Sequence, residues 1–405
     1  VIEGLLGRVK VGDGYPVRIM AVINLSRESF YKGSIATPDE VLSSANALVD
    51  EGADLVDLGA VSTAPGSPEI DEATERDRLM PALRQILENI DIDVSVDTQR
   101  STIAYEALSL GAACVNDVSG LKDPKMAGVI ADHGGSAVIM ASRNRPGDLL
   151  TIKEIIAILG DRVRSADAAG VIPEKISIDP GVGRWVPEKK PEHDLAILDG
   201  LRDLRTIGRP VMAAVSRKSF IGARLNQPDP AQRLFGSLAA TAVAVYNGAH
   251  IVRTHDVSAS LDTIRMAQAI RGLPARVYEN EVEAEVVGHF GGQELREHLK
   301  RVGVDEGGEG ILCKKGSFRV LSLRGVSSME AIIVKQAMLA RGGDAAIPRH
   351  ALRCDPRPED ILIFGTTSQL SGLVKNLEKQ PFRLPVIAKA IDNALSQIDD
   401  PSRYR

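Results

Sequence analysis

Short apolar runs alternate along the chain with longer stretches in which apolar residues recur every three or four positions. The short runs are Arg18–Leu25, Ala53–Gly59, Asp93–Asp97, Ala113–Val118, Ala137–Ala141, Ile176–Asp179, Val211–Val215 and His250–Thr254. They are nearly all apolar, as expected of parallel strands covered on both faces. The spaced stretches predict helices. Thr37–Glu51 opens with Thr-Pro-Asp-Glu, which suits an N-cap followed by Pro in the first turn. Gln232–Asn247 is rich in Ala and Leu and stops at Gly248, and Ser258–Arg271 ends against Gly272 and Pro274. Eight strand–helix units within about 270 residues match the size of a closed (β/α)8 TIM barrel. A doubly wound open sheet is the competing arrangement. It would be favoured by a G-x-G-x-x-G after the first strand, and none is present.

The pattern changes after Gly272-Leu273-Pro274, which divides the chain into a barrel over 1–274 and a small α+β domain over 275–405. In the tail, Ile311–Cys313 and Phe318–Leu323 are expected as paired strands around Lys314-Lys315-Gly316, after a loop from Glu306 to Gly310. Ser327–Arg341 predicts a helix, Ile361–Phe364 a strand leading to a helix that ends at Gln380, and Leu384–Ile398 a last amphipathic helix. Gly365-Thr366-Thr367 follows a strand and could bind phosphate, though a turn that caps the following helix is the better reading. A structural or oligomerisation role is expected for this domain.

Composition narrows the function. A net charge of −5 over 405 residues, without a basic stripe interleaved with aromatics, argues against nucleic-acid binding. Aromatics make up only 3 %, so the core must be aliphatic. No run approaches ~18 apolar residues, so no membrane span is expected. No signal-peptide pattern stands at the start. Cys114, Cys313 and Cys354 lie far apart, as reduced thiols of a cytoplasmic protein would. The tail histidines His289, His298 and His350 have no metal-ligand spacing.

In a (β/α)8 barrel, functional groups sit at strand C-termini and in the loops that follow. Those positions hold Asn24, Asp57 with Thr63, Asp97, Asn116 with Asp117, Asp179, Ser216 to Ser219, and Arg253 with His255 and Asp256. The strands V-S-V-D and I-S-I-D each place a carboxylate, Asp97 and Asp179, at the mouth. Val211 to Gly222 runs from an apolar strand into Ser216-Arg217-Lys218-Ser219, which supplies several donors for an anionic ligand. Arg253 and His255, two apart on an extended strand, share a face and suit phosphate or pyrophosphate. The plainer alternative makes the Asp and Asn residues caps of the following helices; for Asp117 and Asp256 it is at least as good. Pro180-Gly181-Val182-Gly183 lets backbone approach a ligand. Trp185, the only tryptophan, stands in a loop expected to act as an active-site lid.

Seven motifs, in order from Arg18 to Gly272, resemble those of the dihydropteroate synthase family of pterin-binding barrels. They are Ile23-Asn24 with Ser29-Phe30; Asp57-Leu58-Gly59 with Ser62-Thr63 and Pro65-Gly66; and Val94 to Thr98. Val115 to Gly120, Asp179-Pro180-Gly181, Val215 to Gly222 and Arg253 to Val257 complete them. The resemblance implies a transferase that joins p-aminobenzoate to 6-hydroxymethyl-7,8-dihydropterin pyrophosphate and releases pyrophosphate. By the same resemblance Asp97, Asn116, Asp179 and Lys218 hold the pterin. Asn24 meets Mg²⁺ on the pyrophosphate, with Thr63, Arg253 and His255 nearby, and Arg217 and Ser219 help form the arylamine site. Of these, Asp97, Lys218, Arg253 and His255 are expected to carry catalysis. A homodimer is expected, as barrels of this family are commonly dimers.

The chain also departs from the family pattern. Ala64 stands where Arg usually follows Thr, Ser26-Arg27-Glu28 replaces Thr-Pro-Asp, and Arg184-Trp185 with added residues replaces Phe-Gly-Lys. The fifth strand ends Met140-Ala141 in place of Met-His. Arg27 and Arg184 could therefore meet an anionic group on a larger amine, such as a ribosylated aminobenzene phosphate. Unchanged chemistry with drifted loops is the equal alternative. Two rival functions are a pterin-dependent methyltransferase, which has no need of Arg253 and His255 on a pyrophosphate, and a non-catalytic pterin-binding protein.

Overall fold

The structure, a computed structural model, describes residues 2–26, 40–61, 70–272, 276–279, 282–285, 295–296, 299–300, 302–349, 351 and 359–396. It groups into two compact units, 1–286 and 287–403. An antiparallel hairpin, β1 (Glu3–Leu6) and β2 (Val9–Gly12), opens the first. Eight parallel strands follow: β3 Arg18–Asn24, β4 Leu55–Gly59, β5 Asp93–Asp97, β6 Cys114–Asp117, β7 Ser136–Met140, β8 Ile176–Asp179, β9 Met212–Ala213 and β10 Ile251–Thr254. Their order is β8-β7-β6-β5-β4-β3-β10-β9, and a parallel bridge from Ile178 to Val211 joins the two ends into a ring. Each strand lies within two residues of the apolar run that predicts it. The open doubly wound sheet is thereby excluded.

The helices outside the ring are α1 Val41–Asp50, α2 Glu72–Asn89, α3 Ser101–Leu110, α4 Met126–Asp132, α5 Ile152–Ala168, α6 Pro191–Asp199, α7 Ser219–Leu225, α8 Leu234–Tyr246 and α9 Val257–Arg271. Side chains alternate along each strand between the ring interior and this helical layer. Val56, Leu58, Val94, Val96, Val115 and Ile139 pack outward with Leu79, Leu83, Ile103, Ile155 and Leu159. Met20, Leu55, Cys114, Val138, Met212 and Ile251 form a separate interior core with Leu6 and Val11 of the hairpin. The hairpin therefore closes the N-terminal end of the barrel. Polar ties fix it there: Gly7 N–H donates to Ser136 Oγ at 2.9 Å, Arg8 N–H to Asp93 at 2.6 Å, and Arg205 grips Asp13 at 2.6 and 2.9 Å. Among the described residues no helix is long and apolar enough to cross a membrane.

A second hairpin, β11 (Arg276–Glu279) with β12 (Val282–Glu285), follows α9 and groups with the first unit, so the division falls later than residue 274. The second unit carries a three-stranded antiparallel sheet in the order β13 (Phe318–Val326), β15 (Glu359–Thr366), β14 (Asp344–Ala346). Its helices are α10 Glu306–Gly316, α11 Ser328–Leu339, α12 Thr367–Leu377 and α13 Leu384–Ser396. The expected loop at 306–310 and strand at 311–313 are together the helix α10. Asp305 caps it by accepting from Gly308 N–H at 3.0 Å, and Lys314 and Lys315 sit favourably at its negative end. The strand at Phe318 pairs with β15. A short apolar run carries no period that separates helix from strand, which is why 311–313 misleads.

Candidate active site

Two residues above the interior core, the inward positions change from apolar to polar. Leu55 is followed inward by Asp57, Cys114 by Asn116 and Ile251 by Arg253, each on the same side of its strand. Strand register then sets Asn24, Gly59, Asp97 and Asn116 in one row across β3, β4, β5 and β6. Asp179 lies opposite Met140 across β7 and β8. Asn24, Asp57, Asp97, Asn116, Asp179 and Arg253, all expected at strand ends, thus come together at one mouth.

Asp57 is the hub. Its Oδ2 accepts from Arg253 Nε at 2.6 Å and from Asn116 Nδ2 at 3.1 Å. Arg253 Nη2 donates to Asp97 Oδ2 at 3.0 Å. The network is incomplete from within: Asp57 Oδ1 and Asn116 Oδ1 are buried without a protein partner. A buried polar atom left without a partner costs roughly 1–3 kcal/mol, so such a cluster is suited to a ligand that supplies the missing bonds.

Burial shapes the ionisation of the mouth. It pushes the Asp97 carboxyl up to about 7, against the pull of the Arg253 guanidinium. Asp179 is also raised by burial, although Gly181 N–H donates to it at 2.7 Å and Lys218 opposes the shift. Burial brings the Lys218 ammonium down to about 8, with Asp179 acting in the other direction. His255 falls to about 3 through burial and the neighbouring cations Arg253, Lys218 and Arg217, so its imidazole is neutral near pH 7. Ser216 Oγ accepts from the His255 backbone N–H at 3.3 Å and lies 3.0 Å from Nδ1. A serine hydrogen donated to Nδ1 would leave the ring proton on Nε2.

The Ser216–Ser219 stretch owes its shape to Arg217, a non-glycine residue in the left-handed region at φ 55°. Such backbone persists only where the surroundings over-determine it. Arg217 N–H donates to Ser237 Oγ at 2.8 Å and its carbonyl accepts from Arg233 at 3.0 Å. Its guanidinium donates to Asp256 at 2.9 and 2.6 Å and to the carbonyls of Pro230 and Ala231, both at 2.8 Å. Arg217 is 5 % exposed, with its guanidinium engaged by these scaffold groups. What it does is present its neighbours: Lys218 at the start of α7, and Ser219 exposed in the first turn.

The loop from β8 to α6 is held by Lys189, whose buried Nζ donates to the Gly181 carbonyl at 2.6 Å and pairs with Asp194 at 3.6 Å. Asp194 in turn accepts from Gly183 N–H at 2.8 Å. Exposed Arg184 lines a cavity of about 230 Å³ with Lys190, Phe220 and Ser219. Asp117 accepts from the N–H groups of Ser119 and Leu121 at 2.7 and 2.9 Å and serves its own turn. Thr63, Arg27 and Ala64 lie outside the described residues, as do Ser29, Phe30, His289, His298 and His350.

Sequence reasoning did not single out the hub role of Asp57, the Ser216–His255 contact, the Lys189–Asp194 pair, or Glu75. Buried Glu75 accepts from Thr98 Oγ1 at 2.6 Å and pairs with Arg100, bracing the chain just after Asp97. A carboxylate between Val56 and Leu58 was the available signal for Asp57. Asn24 brings one amide oxygen to the row, and among the described residues no three His, Cys, Asp or Glu side chains gather around a metal position. This donor set fits an Mg²⁺ that takes most of its oxygens from a phosphate-bearing substrate and water.

A family description, pterin binding enzyme, matches residues 20–255. The dihydropteroate synthase of Synechocystis sp. is 33 % identical over 274 residues, covering 65 % of this chain and 94 % of that protein. A Coxiella burnetii dihydropteroate synthase solved in complex with pteroic acid is 33 % identical, with a TM-score of 0.60 over 67 % of this chain and 99 % of that one. The Thermus thermophilus enzyme, solved with 6HMPPP and with 4-aminobenzoate, is 36 % and 37 % identical with TM-scores of 0.57 and 0.56. Each match covers 66 % of this chain and 99 % of the Thermus chain.

Proposed function

The chain belongs to the pterin-binding enzyme family, as a transferase of the dihydropteroate synthase type, and from that premise we propose a division of labour at the barrel mouth. The reaction joins p-aminobenzoate to 6-hydroxymethyl-7,8-dihydropterin pyrophosphate in folate biosynthesis. The arylamine nitrogen forms a C–N bond with the pterin methylene, the C–O bond breaks, and pyrophosphate leaves with the electron pair. The proton shed by the new ammonium passes to water. An aromatic amine is already neutral at pH 7, so positioning and electrostatics carry the reaction.

The observation that carries this reading is the incomplete network. A pterin edge presents N–H donors next to carbonyl and ring-nitrogen acceptors. Asp97 and Asp179 accept from such an edge, the unpaired Asn116 Oδ1 accepts beside them, and Lys218 donates. Asp97, once ionised, also stabilises the positive charge that grows on the pterin side as the C–O bond stretches. Arg253 and His255 face the leaving group. Arg253 is a fixed cation, whereas His255 meets the pyrophosphate as a neutral Nε2–H donor. Asn24 would hold Mg²⁺, which when bound neutralises the charge of the departing pyrophosphate. Ser219 receives the arylamine, with Arg217 fixing the turn that presents it.

The assembly is a homodimer. Its support is the unpartnered apolar surface of α8 and α9, where Phe235 is 81 % exposed, Met266 and Ile270 are each 63 % exposed, and Val243 and Tyr246 extend the patch. A surface of this kind marks an interaction site and suits a self-complementary contact.

The deciding assay is pyrophosphate release from 6-hydroxymethyl-7,8-dihydropterin pyrophosphate, started with p-aminobenzoate. The expected result is release that depends on both substrates. Binding of the pterin pyrophosphate without release would instead make the chain a pterin-binding protein.

A further inference from the structure

The mechanism leaves one well-built feature unused. Trp185, the only tryptophan in the chain, lies with its ring face over Lys218, 4.8 Å from Nζ to the ring centroid. Its Nε1 donates to the Val182 carbonyl at 3.1 Å, which fixes the plane of the indole. Two glycines leave room for this stack. Gly147, at φ +58° in the loop after β7, supports the indole; a Cβ there would fall 2.2 Å from Trp185 Cδ1 and 2.3 Å from Cγ. Gly183, at φ +120°, lets the lysine stem pass; a Cβ there would fall 3.1 Å from Lys218 Cδ.

The loop that carries Gly147 is itself rigid. Asp148 accepts from the N–H groups of Arg143, Asn144 and Arg145 at 2.8, 2.9 and 3.2 Å. Gly147 N–H donates to Ser142 Oγ at 3.0 Å, and Ser142 Oγ donates to the Val118 carbonyl at 2.8 Å. The indole is therefore wedged between a fixed loop and an ammonium. A lysine has a flexible four-carbon stem and a point charge, so something must select one of its rotamers. The charged groups acting on Lys218 are Asp179 on β8, Asp194 on α6, Lys189 in the intervening loop and Arg253 on β10. They act on it through space, whereas the indole face lies directly over its Nζ.

We infer that Trp185 is a positioning residue, whose ring face holds the Lys218 ammonium at the pterin site while Gly147 seats the ring. The inference rests on the role assigned to Lys218 above. It places the added loop residues of this chain on the pterin side of the mouth, through a contact between side chains from the loops after β8 and β9.

The single tryptophan makes the contact observable, since all indole emission of the chain comes from Trp185. In the full-length protein, emission followed against pH should show a step near pH 8 as the ammonium beneath the ring titrates, and Lys218→Met should lack it. Trp185→Leu, which keeps apolar bulk without a π face, should lower kcat/KM for the dihydropterin pyrophosphate roughly 3- to 30-fold. Trp185→Phe should recover most of that loss. Identical emission profiles for wild type and Lys218→Met would overturn the contact, and unchanged kcat/KM in Trp185→Leu would overturn its positioning role. The emission comparison needs no Trp185 variant, so misfolding of one cannot mask the answer. Absent pyrophosphate release by the wild type would sink the assigned reaction, and the emission comparison would still decide the contact.

Discussion

The two ends of the barrel each hold a buried ionic network, and they differ in whether the protein completes it. At the N-terminal end the Asp13 carboxylate accepts from both arms of Arg205, from Ile2 N–H at 2.9 Å and from His250 Nε2 at 3.1 Å. His250 Nδ1 accepts from Val211 N–H at 3.0 Å. At the C-terminal end Asp57, Asp97, Asn116 and Arg253 are linked just as closely, yet acceptor atoms of Asp57 and Asn116 are left over. Both networks are dominated by burial and both contain arginine, so neither charge nor burial distinguishes structure from function here. Completion does. A closed network stabilises the fold, and an open one stabilises whatever closes it.

The largest expected effect breaks the closed end. Asp13→Ala strands Arg205 and removes a hydrogen bond from His250, and should cost about 3–5 kcal/mol of unfolding free energy. Turnover by the folded fraction should stay near wild type, which denaturant titration and an assay on the same sample will check. The open end should show the opposite profile. Lys218→Ala should lower turnover by about 10²–10³-fold, the size of losing one oriented charged donor. The melting temperature of that variant should barely move; a large drop would make Lys218 part of the scaffold.

The pH responses should separate the two ends as well. Burial lowers the pKa of His250 below its ordinary value, so folding is opposed as pH falls through about 6.5, where the unfolded chain takes up the proton. His250 and Arg205 hold the Asp13 carboxyl well below the carboxylate range, so its contribution is present above about pH 3.9 and is lost as the pH falls further. Both groups predict acid loss of stability. At the mouth, kcat/KM should follow a narrow bell. It rises as Asp97 ionises near 7 and falls as Lys218 loses its proton near 8.

Much of this was legible in the chain. The eight strands could be read because a parallel strand buried on both faces is an uninterrupted apolar run. Asp97 and Asp179 could be read because V-S-V-D and I-S-I-D end such runs on a carboxylate. The scaffold role of Arg217 was not legible for a physical reason: its partner Asp256 lies 39 residues away in sequence and only the closed ring brings it near. The same holds for Trp185, whose seat at Gly147 is on a different loop. The helix over 306–316 was missed because three glycines among Glu306 to Gly310 read as a loop while Asp305 supplied the cap.

The central claim is that the pterin completes the open network. The most direct measurement is a crystal structure of the full chain with the dihydropterin pyrophosphate. The heterocycle should lie at the mouth within hydrogen-bonding distance of Asp97, Asn116 Oδ1 and Asp179, with Lys218 donating to it and the pyrophosphate against Arg253 and His255. A pterin bound elsewhere, with Asn116 Oδ1 still unpaired, would contradict it.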